Sequence, residues 1–195
     1  MNDDKKFDPK KLAKLNDPGR LEYLDPDLIW EKAALPDPSV LIDIGAGTGL
    51  FALIFSRKMK NGKVYACDIS DEMISWMNDN LPAESKGVVI PMRTEENFLP
   101  LPDGSADLVY MINLHHELED PQRVLKESRR LLKKGGKVMV IDWKKEPTPE
   151  GPPVEIRVTE EMIESHMRSA GFSKITKYSV LPYHSFLIGS KESDV

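Results

Sequence analysis

Cysteine is almost absent from the sequence, since Cys67 is the only one among its 195 residues. A single cysteine cannot form an internal disulfide, so a hydrophobic core must hold the fold together. The chain also lacks a run of about eighteen apolar residues and has no secretory signal pattern near its start. We therefore expect a soluble, cytoplasmic protein without a membrane span.

Basic charge is not in excess either. The sequence has 27 lysines and arginines against 32 aspartates and glutamates, which gives a net charge of −5 at pH 7. This balance disfavours nucleic acid as the main partner and suits a small, neutral or cationic one. With 40% hydrophobic residues, a chain of this length predicts a single domain with a sizeable core, present as a monomer or homodimer.

What the sequence does contain is an alternation of strand and helix patterns. Residues 40–44 form a short, β-branched apolar run that ends in glycines, which is typical of a buried strand followed by a tight turn. The same reasoning predicts strands at 64–67, 87–92, 107–112 and 137–141, and helices at 50–59, from Ser70, at 120–134 and at 159–170. A strand, helix and strand in this order predict parallel pairing.

The alternation breaks near the end of the chain. Two β-type runs, 174–181 and 185–188, are too close for a crossover helix and should pair antiparallel. We predict an α/β fold with a Rossmann-like, doubly wound, mostly parallel seven-stranded sheet and one antiparallel edge strand. Residues 1–36 should form a helical cap on a ligand-binding unit at 37–195. The proline-rich connection 144–158 predicts a functional or mobile loop at the carboxyl ends of the strands.

Three glycines leave the first strand in the stretch Asp43-Ile44-Gly45-Ala46-Gly47-Thr48-Gly49. Glycines between a strand and a helix let a nucleotide-like ligand approach the backbone. The spacing G-x-G-x-G differs from the dinucleotide fingerprint, and the Gly-Lys-Ser/Thr of a P-loop is absent. Asp68 ends the second strand, where a carboxylate can accept both hydrogen bonds of a ribose diol. A tight turn without ligand is the alternative interpretation.

Four blocks of sequence occur in a characteristic order: VLIDIGAGTG at 40–49, ACDISDEM at 66–73, LPLPDGSAD at 99–107 and LLKKGGKV at 131–138. In these blocks the chain resembles class I S-adenosylmethionine-dependent methyltransferases, nearest the small subgroup that includes ubiquinone/menaquinone-type C-methyltransferases. The resemblance implies S-adenosylmethionine as cofactor, S-adenosylhomocysteine as product and in-line methyl transfer to a small-molecule acceptor. The unit at 37–195 would then be the cofactor-binding methyltransferase domain.

The resemblance also implies which residues bind the cofactor. Asp43 would contact its amino group, Asp68 its ribose and Glu95 its adenine, although the family more often has aspartate at the position of Glu95. Ile69 and Met73 would flank the adenine ring, although Met73 is equally well interpreted as an ordinary core residue. The full predicted cofactor-binding set is Asp43, Gly45, Ala46, Gly47, Gly49, Asp68, Ile69, Met73, Thr94, Glu95 and Asn113.

The adjacent histidines His115 and His116 follow the fourth strand and precede Glu117. A metal site is disfavoured, because adjacent histidines rarely converge on one ion and no further ligand has suitable spacing. A general base is the second interpretation, for which we predict His116 and Glu117 as catalytic residues. Packing against the cofactor cleft is the third, since positioning alone can lower a methyl-transfer barrier.

Further polar and aromatic residues near the predicted strand ends are candidates for binding the acceptor. The predicted substrate-binding residues are His115, Asp142, Tyr183 and His184, with Tyr23, Trp30 and Trp143 as additional candidates. Two other functions stay open at this stage. One is a non-catalytic, nucleoside-binding module, and the other is an NAD-dependent oxidoreductase, which the G-x-G-x-G spacing disfavours.

Overall fold

The computed structural model describes residues 12–192, apart from the side chain of residue 13. Helices and strands alternate through this range. The helices are α1 Leu12–Leu15, α2 Arg20–Tyr23, α3 Pro26–Ala33, α4 Leu50–Ser56, α5 Asp71–Asn80, α6 Pro121–Leu131 and α7 Glu160–Ser169. The strands are β1 Val40–Ile44, β2 Lys63–Asp68, β3 Val89–Arg93, β4 Ala106–Ile112, β5 Leu132–Trp143, β6 Ser173–Lys177 and β7 His184–Ser190.

All seven strands belong to one sheet with the order β3-β2-β1-β4-β5-β7-β6. Strands β1 to β5 pair in parallel, whereas β7 pairs antiparallel with both β5 and β6. The predicted doubly wound, mostly parallel seven-stranded sheet is therefore confirmed. The antiparallel strand is β7, and it is the second strand from the edge and not the edge strand itself. Strand β6 forms the edge and has the same direction as β5. Strand β7 lies between them and has the opposite direction.

Capping residues begin the main helices where the sequence predicts them. The side chains of Asp25, Ser70, Asp120 and Thr159 each accept a hydrogen bond from a backbone N–H in the first turn of α3, α5, α6 and α7. Prolines follow directly in α3 and α6, where the missing N–H has no helical partner to lose. These local signals determine the residues at which the four helices begin.

The ends of two helices differ from the prediction. Helix α6 stops at Leu131 instead of continuing to residue 134, because Leu132 is extended, buried and paired with Ala106 of β4. Burying the Leu132 side chain against the sheet outweighs the helix propensity of the lysines that follow. Helix α4 stops at Ser56, whose hydroxyl donates to the Leu53 carbonyl oxygen at 2.8 Å. Local polar bonding of this kind competes with the helix.

The core has one apolar cluster on each face of the sheet. On one face, Leu24, Ile29 and Ala33 from the N-terminal helices pack in the same cluster as Phe51 and Phe55 of α4. This contact attaches residues 20–33 to the sheet. The predicted division at residue 36 stays a prediction, and residues 1–11 and 193–195 lie outside the described range.

No helix within residues 12–192 has the length and apolar character that a membrane span requires.

A carboxylate joins β1 to β4 at the amino ends of the parallel strands. Asp107 accepts hydrogen bonds from the backbone N–H groups of Ser39 and Val40 at 2.8 and 2.9 Å and from Lys133 Nζ at 2.8 Å. Burial raises the pKa of Asp107, but these donors outweigh it, and the pKa lies below its ordinary value. This clamp sits at the opposite end of the strands from the glycine loop.

We expect Asp107→Ala to lower the free energy of unfolding by about 1–3 kcal/mol, because three donors lose a charged acceptor. Urea unfolding at pH 7 measures the loss, and Asp103→Ala, whose side chain is 80% exposed in its pair with Arg130, should lose about 0–1 kcal/mol. The folded pKa of Asp107 is depressed, so its contribution is present above the unfolded pKa and disappears as pH falls through the folded one. Equal losses in the two variants would contradict the clamp.

Candidate active site

The candidate site lies at the carboxyl ends of β1, β2, β4 and β5. The chain order reverses between β1 and β4, which are neighbours in the sheet although two strands separate them in sequence. Connections leave in opposite directions on either side of such a point and open a crevice there. The glycine loop, Asp68, the histidine pair and Asp142 all follow or end strands at this edge.

The glycine loop adopts a backbone that few other residues tolerate. Gly45, Gly47 and Gly49 have φ values of 71°, 56° and 76°, in the left-handed region. A Cβ atom on Gly45 would lie 2.7 Å from Cδ1 of Leu114, so the missing side chain lets the loop pack against the chain that follows β4. The fold therefore requires glycine at position 45 for packing within the protein, and the predicted approach of a ligand to this loop stays a prediction.

Four amide groups of this loop donate hydrogen bonds within the protein. Gly45 and Ala46 donate to the carbonyl oxygen of Cys67 at 2.9 Å, and Gly49 donates to the Ala46 carbonyl at 2.9 Å. Gly47 donates to Oδ2 of Asp68 at 2.8 Å. A phosphate-binding loop presents such amides to its anion. Here a carboxylate of the protein takes the place of the anion at Gly47.

Two buried carboxyl groups lie in this part of the crevice. Burial raises the pKa of Asp43 well above its ordinary value, the nearby hydroxyl of Tyr110 opposes the shift, and the charge of Asp68 adds to it. Burial also raises the pKa of Asp68, against hydrogen bonds from the N–H groups of Ser70 and Gly47. Two carboxylates that resist ionisation in this way favour a cationic ligand. S-adenosylmethionine, with a sulfonium and an ammonium group, fits these two carboxyl groups.

An open cleft of about 520 Å³ lies at the carboxyl end of β3. Its lining includes the predicted residues Thr94 and Glu95 and also Arg93 and Phe98, which the sequence reasoning missed. Phe98 is 54% exposed, and an apolar side chain held in the open is a signal that only the structure provides. Of the two residues expected beside adenine, Ile69 is exposed and Met73 is buried.

A buried histidine–aspartate pair joins the ends of β4 and β5. Nδ1 of His116 lies 2.8 Å from Oδ1 of Asp142, and the His116 backbone N–H donates to Oδ2 at 2.8 Å. The backbone N–H of Trp143 also donates to Oδ1 at 2.7 Å. Asp142 has no exposed surface. Its predicted contact with substrate is therefore replaced by contacts that orient His116.

The ionised Asp142 carboxylate can only accept hydrogen bonds, so the neutral His116 ring carries its proton on Nδ1 and a lone pair on Nε2. Burial lowers the pKa of His116, but the hydrogen bond and charge of Asp142 outweigh burial and raise it. Glu117 adds to this rise, with Oε1 3.7 Å from Nε2. The pair therefore holds a base whose pKa is above the ordinary histidine value.

His115 faces a different neighbour from His116. Its Nε2 lies 3.1 Å from Nδ1 of His166 on α7, a partner that the sequence did not indicate. Burial lowers the pKa of His115 to about 4, so the ring is neutral near pH 7. Within the part of the chain that the structure describes, no group of three or more histidine, cysteine, aspartate or glutamate side chains is arranged to hold a metal ion.

An aromatic cluster consists of Tyr23, Trp143, Tyr183 and His184. The His184 ring lies 4.2 Å from the Trp143 ring between centroids and stacks on Tyr23 at 5.8 Å with an 8° angle between the planes. Tyr23 also contacts Tyr183 at 5.7 Å. Trp30, another sequence candidate, packs on Phe55 in the core instead. The structure thus brings Tyr183 and His184 together with an N-terminal residue.

His184 is fully buried, and neither ring nitrogen has a hydrogen-bond partner among the residues described. Burial lowers its pKa to about 3, against the charge of Asp142 and with help from Arg20, Arg157 and Lys144. The ring is therefore neutral near pH 7.

The proline-rich connection 144–158 is tied down by Arg157. This side chain is buried and donates from Nη1 to the carbonyl oxygens of Lys144 and Glu146 at 3.1 and 2.9 Å and from Nε to that of Pro152 at 2.8 Å. Its guanidinium also lies over the Trp143 ring, 5.4 Å from the centroid. The loop therefore forms a fixed wall beside the aromatic cluster.

Comparison with known proteins gives one family. A family described as Methyltransferase domain matches residues 42–140, about half of the chain. A solved structure of a SAM dependent methyltransferase from Aquifex aeolicus has a TM-score of 0.88 and 33% sequence identity, and the match covers 95% of this chain and 100% of that one.

Two curated relatives carry more specific names. A ubiquinone/menaquinone biosynthesis C-methyltransferase from Laribacter hongkongensis is 32% identical over 128 residues, 62% of this chain and 52% of the relative. A malonyl-[acyl-carrier protein] O-methyltransferase from Methylococcus capsulatus is 26% identical over 156 residues, 72% of this chain and 54% of the relative. The chain thus spans about half the length of the curated relatives it matches.

We expect the three buried histidines of the site to titrate far apart when followed by NMR of their ring nitrogens. His116 should titrate above the ordinary histidine pKa, His115 near 4 and His184 near 3. Asp142→Asn should bring the pKa of His116 below its ordinary value, because burial then acts without the opposing charge.

The raised folded pKa of His116 stabilises the fold below the unfolded pKa, and this contribution is lost as pH rises through the folded pKa. Asp103→Asn is the matched control and should leave all three histidines unchanged. A His116 pKa that does not respond to Asp142→Asn would contradict the pairing.

Proposed function

Since the chain belongs to the class I S-adenosylmethionine-dependent methyltransferase family, we propose that it methylates a small, planar organic acceptor with His116 as general base. S-adenosylmethionine is the cofactor of this family, and S-adenosylhomocysteine is the product. The proposed acceptor position lies between His116 and the aromatic cluster.

The observation that carries the cofactor assignment to specific residues is the pairing of Asp68 with the glycine loop. Oδ2 of Asp68 accepts from the Gly47 amide, which places negative charge where a dinucleotide-binding loop would meet pyrophosphate. Repulsion between this carboxylate and a pyrophosphate disfavours NAD. A carboxylate has about four acceptor sites. The N–H groups of Gly47, Ser70 and Ile69 use up to three of them, so Asp68 can still accept from a ribose hydroxyl. Asp43 would hold the ammonium group.

When bound, S-adenosylmethionine supplies an electrophilic methyl group, which bonds to a lone pair or carbanion of the acceptor while sulfur keeps the electron pair of the broken S–C bond. The residues of the chain handle the proton. Nε2 of His116 would take the proton that the acceptor loses and later release it to water, while Asp142 stabilises the charged imidazolium. Glu117 adds negative charge beside Nε2.

The aromatic cluster supports a flat acceptor. Tyr23 and Tyr183 are half-buried and offer ring edges and hydroxyl groups, while the buried rings of Trp143 and His184 pack against Tyr23. A planar acceptor of this kind agrees with the name of the C-methyltransferase relative, which refers to ubiquinone and menaquinone biosynthesis. The O-methyltransferase relative is named for a malonyl-[acyl-carrier protein] acceptor. The two names alone therefore do not decide the acceptor class.

Other predictions about the chain stay proposals. A cytoplasmic location and a monomeric or homodimeric state are retained from the sequence. The net charge of −5 supports the absence of a nucleic-acid partner.

Isothermal titration calorimetry with S-adenosylmethionine, S-adenosylhomocysteine and NAD tests the cofactor site. We expect binding of both sulfur nucleosides and no heat with NAD. Asp68→Ala should weaken nucleoside binding by at least about 1.5 kcal/mol, roughly tenfold, because hydrogen bonds to a charged acceptor are lost. Asp68→Asn keeps the side-chain shape, and the distant Asp103→Ala should bind as the wild type does. Tight NAD binding without a response to either nucleoside would overturn the assignment.

Turnover with planar probes tests the base. S-adenosylhomocysteine formation would be measured with catechol, 4-hydroxybenzoate and 1,4-naphthohydroquinone, and His116→Gln should lower kcat by about 10²–10⁴-fold without changing cofactor affinity. The rate should fall as pH falls through the pKa of His116. Asp142→Asn should shift this acidic part of the pH–rate profile to lower pH.

Unchanged kcat in folded His116→Gln would assign His116 to packing. Cofactor binding without turnover on any acceptor would favour a non-catalytic binding module.

A further inference from the structure

Tyr110 carries a polar group into an apolar cluster. It lies in β4, its ring is fully buried, and its neighbours on the same face of the strand are Leu108 and Ile112. The ring packs edge-on against Phe55 of α4, with 5.3 Å between the centroids and 70° between the planes. A phenylalanine would make the same ring contacts. The hydroxyl group is therefore the part of Tyr110 that packing does not explain.

The hydroxyl group of Tyr110 lies near Asp43. The two residues are direct partners in the parallel pairing of β4 with β1, so their side chains lie on the same face of the sheet. The hydroxyl group is close enough to lower the pKa of the Asp43 carboxyl, but it makes no regular hydrogen bond within residues 12–192. A buried hydroxyl group normally has a partner. The sheet register thus places an unpaired donor next to a carboxyl group.

The Asp43 carboxyl needs such a donor in order to ionise. It is only 3% exposed, and burial together with the charge of Asp68 raises its pKa well above the ordinary value. Cys67 is the other ionisable side chain coupled to it, and its thiol is a weak donor that lies 3.8 Å from the Tyr65 carbonyl oxygen. Of these neighbours, Tyr110 is the one whose hydrogen bond favours the carboxylate.

We propose that Tyr110 is a positioning residue for the cofactor, whose hydroxyl group donates to the Asp43 carboxylate and favours its ionised form toward the ammonium group of S-adenosylmethionine. This inference rests on the proposed function, in which Asp43 holds that ammonium group. A phenol can accept a hydrogen bond from a protonated carboxyl group and donate one to a carboxylate. Tyr110 therefore suits both states of Asp43, and binding of the ammonium group releases the Asp43 proton to solvent.

The proposed role concerns one part of the cofactor only. S-adenosylmethionine and S-adenosylhomocysteine both carry the ammonium group, whereas 5′-methylthioadenosine has the same nucleoside without the amino-acid portion. A loss that is confined to Asp43 weakens the first two ligands and spares the third. A general distortion of the crevice weakens all three.

Calorimetry with S-adenosylhomocysteine and 5′-methylthioadenosine tests the proposal and needs no methyl acceptor. Tyr110→Phe keeps the ring and removes the hydroxyl group. We expect the affinity for S-adenosylhomocysteine at pH 7 to fall about tenfold, because a hydrogen bond to a charged group is lost, with 5′-methylthioadenosine within about twofold of the wild type. Tyr178→Phe removes a hydroxyl group from a ring that contacts Phe186, and this matched control should bind as the wild type does.

The pH dependence of binding is a readout that a packing role does not change. Asp43 must be ionised to hold the ammonium group, so the affinity for S-adenosylhomocysteine falls as pH falls through the pKa of Asp43. The Tyr110 hydroxyl group lowers that pKa, so Tyr110→Phe should move the fall in affinity to higher pH. Tyr110→Phe added to Asp43→Asn should cause little further loss, because the carboxylate on which it acts is gone.

Other results would overturn the inference. Equal losses for the two ligands in Tyr110→Phe would assign the hydroxyl group to the structure of the crevice. An unchanged pH profile, a shift to lower pH, or full additivity with Asp43→Asn would each contradict the contact with Asp43. Failure of the wild-type protein to bind S-adenosylmethionine and S-adenosylhomocysteine would instead refute the proposed function.

Discussion

The buried carboxylate of Asp142 is the constraint on which the site depends. A charge without solvent needs several donors, and Asp142 finds them in the His116 ring, the His116 backbone and the Trp143 backbone. Satisfying them draws the chain after β4 over the end of β5. That path forces the turn at Asn113 and carries Leu114 onto Gly45. One desolvated charge thus joins His116, the turn at Asn113 and the glycine loop.

Buried ionisable side chains lie at both ends of the crevice. Burial raises the pKa values of Asp43 and Asp68 at the end of β1 and β2. Burial also lowers the pKa of His184 at the end of β5 and β7, where Asp142 opposes the shift and Arg20, Arg157 and Lys144 add to it. Each group is therefore held toward its neutral form, and the proposed cationic cofactor would favour ionisation of Asp43 and Asp68.

The sequence predicted those features that local chemistry determines. Helix caps, the glycine loop and the strand pattern depend on neighbouring residues, and the resemblance of four ordered blocks gave the fold and cofactor. The sequence did not predict contacts between residues that are far apart in the chain. The pairs His116–Asp142 and His115–His166 span 26 and 51 residues, and no periodicity encodes them. The end of α6 was wrong because burial of Leu132 overrides local propensity. The aromatic cluster needs Tyr23 and Tyr183, which only the complete sheet brings together.

Arg157 restrains the proline-rich connection 144–158. Its guanidinium organises carbonyl groups from Lys144 to Pro152 around one buried cation, so much of the loop's conformational entropy is already lost in the folded chain. A segment ordered in advance contributes binding surface without a further entropic penalty when a ligand arrives. It is also poorly suited to open and close as a gate.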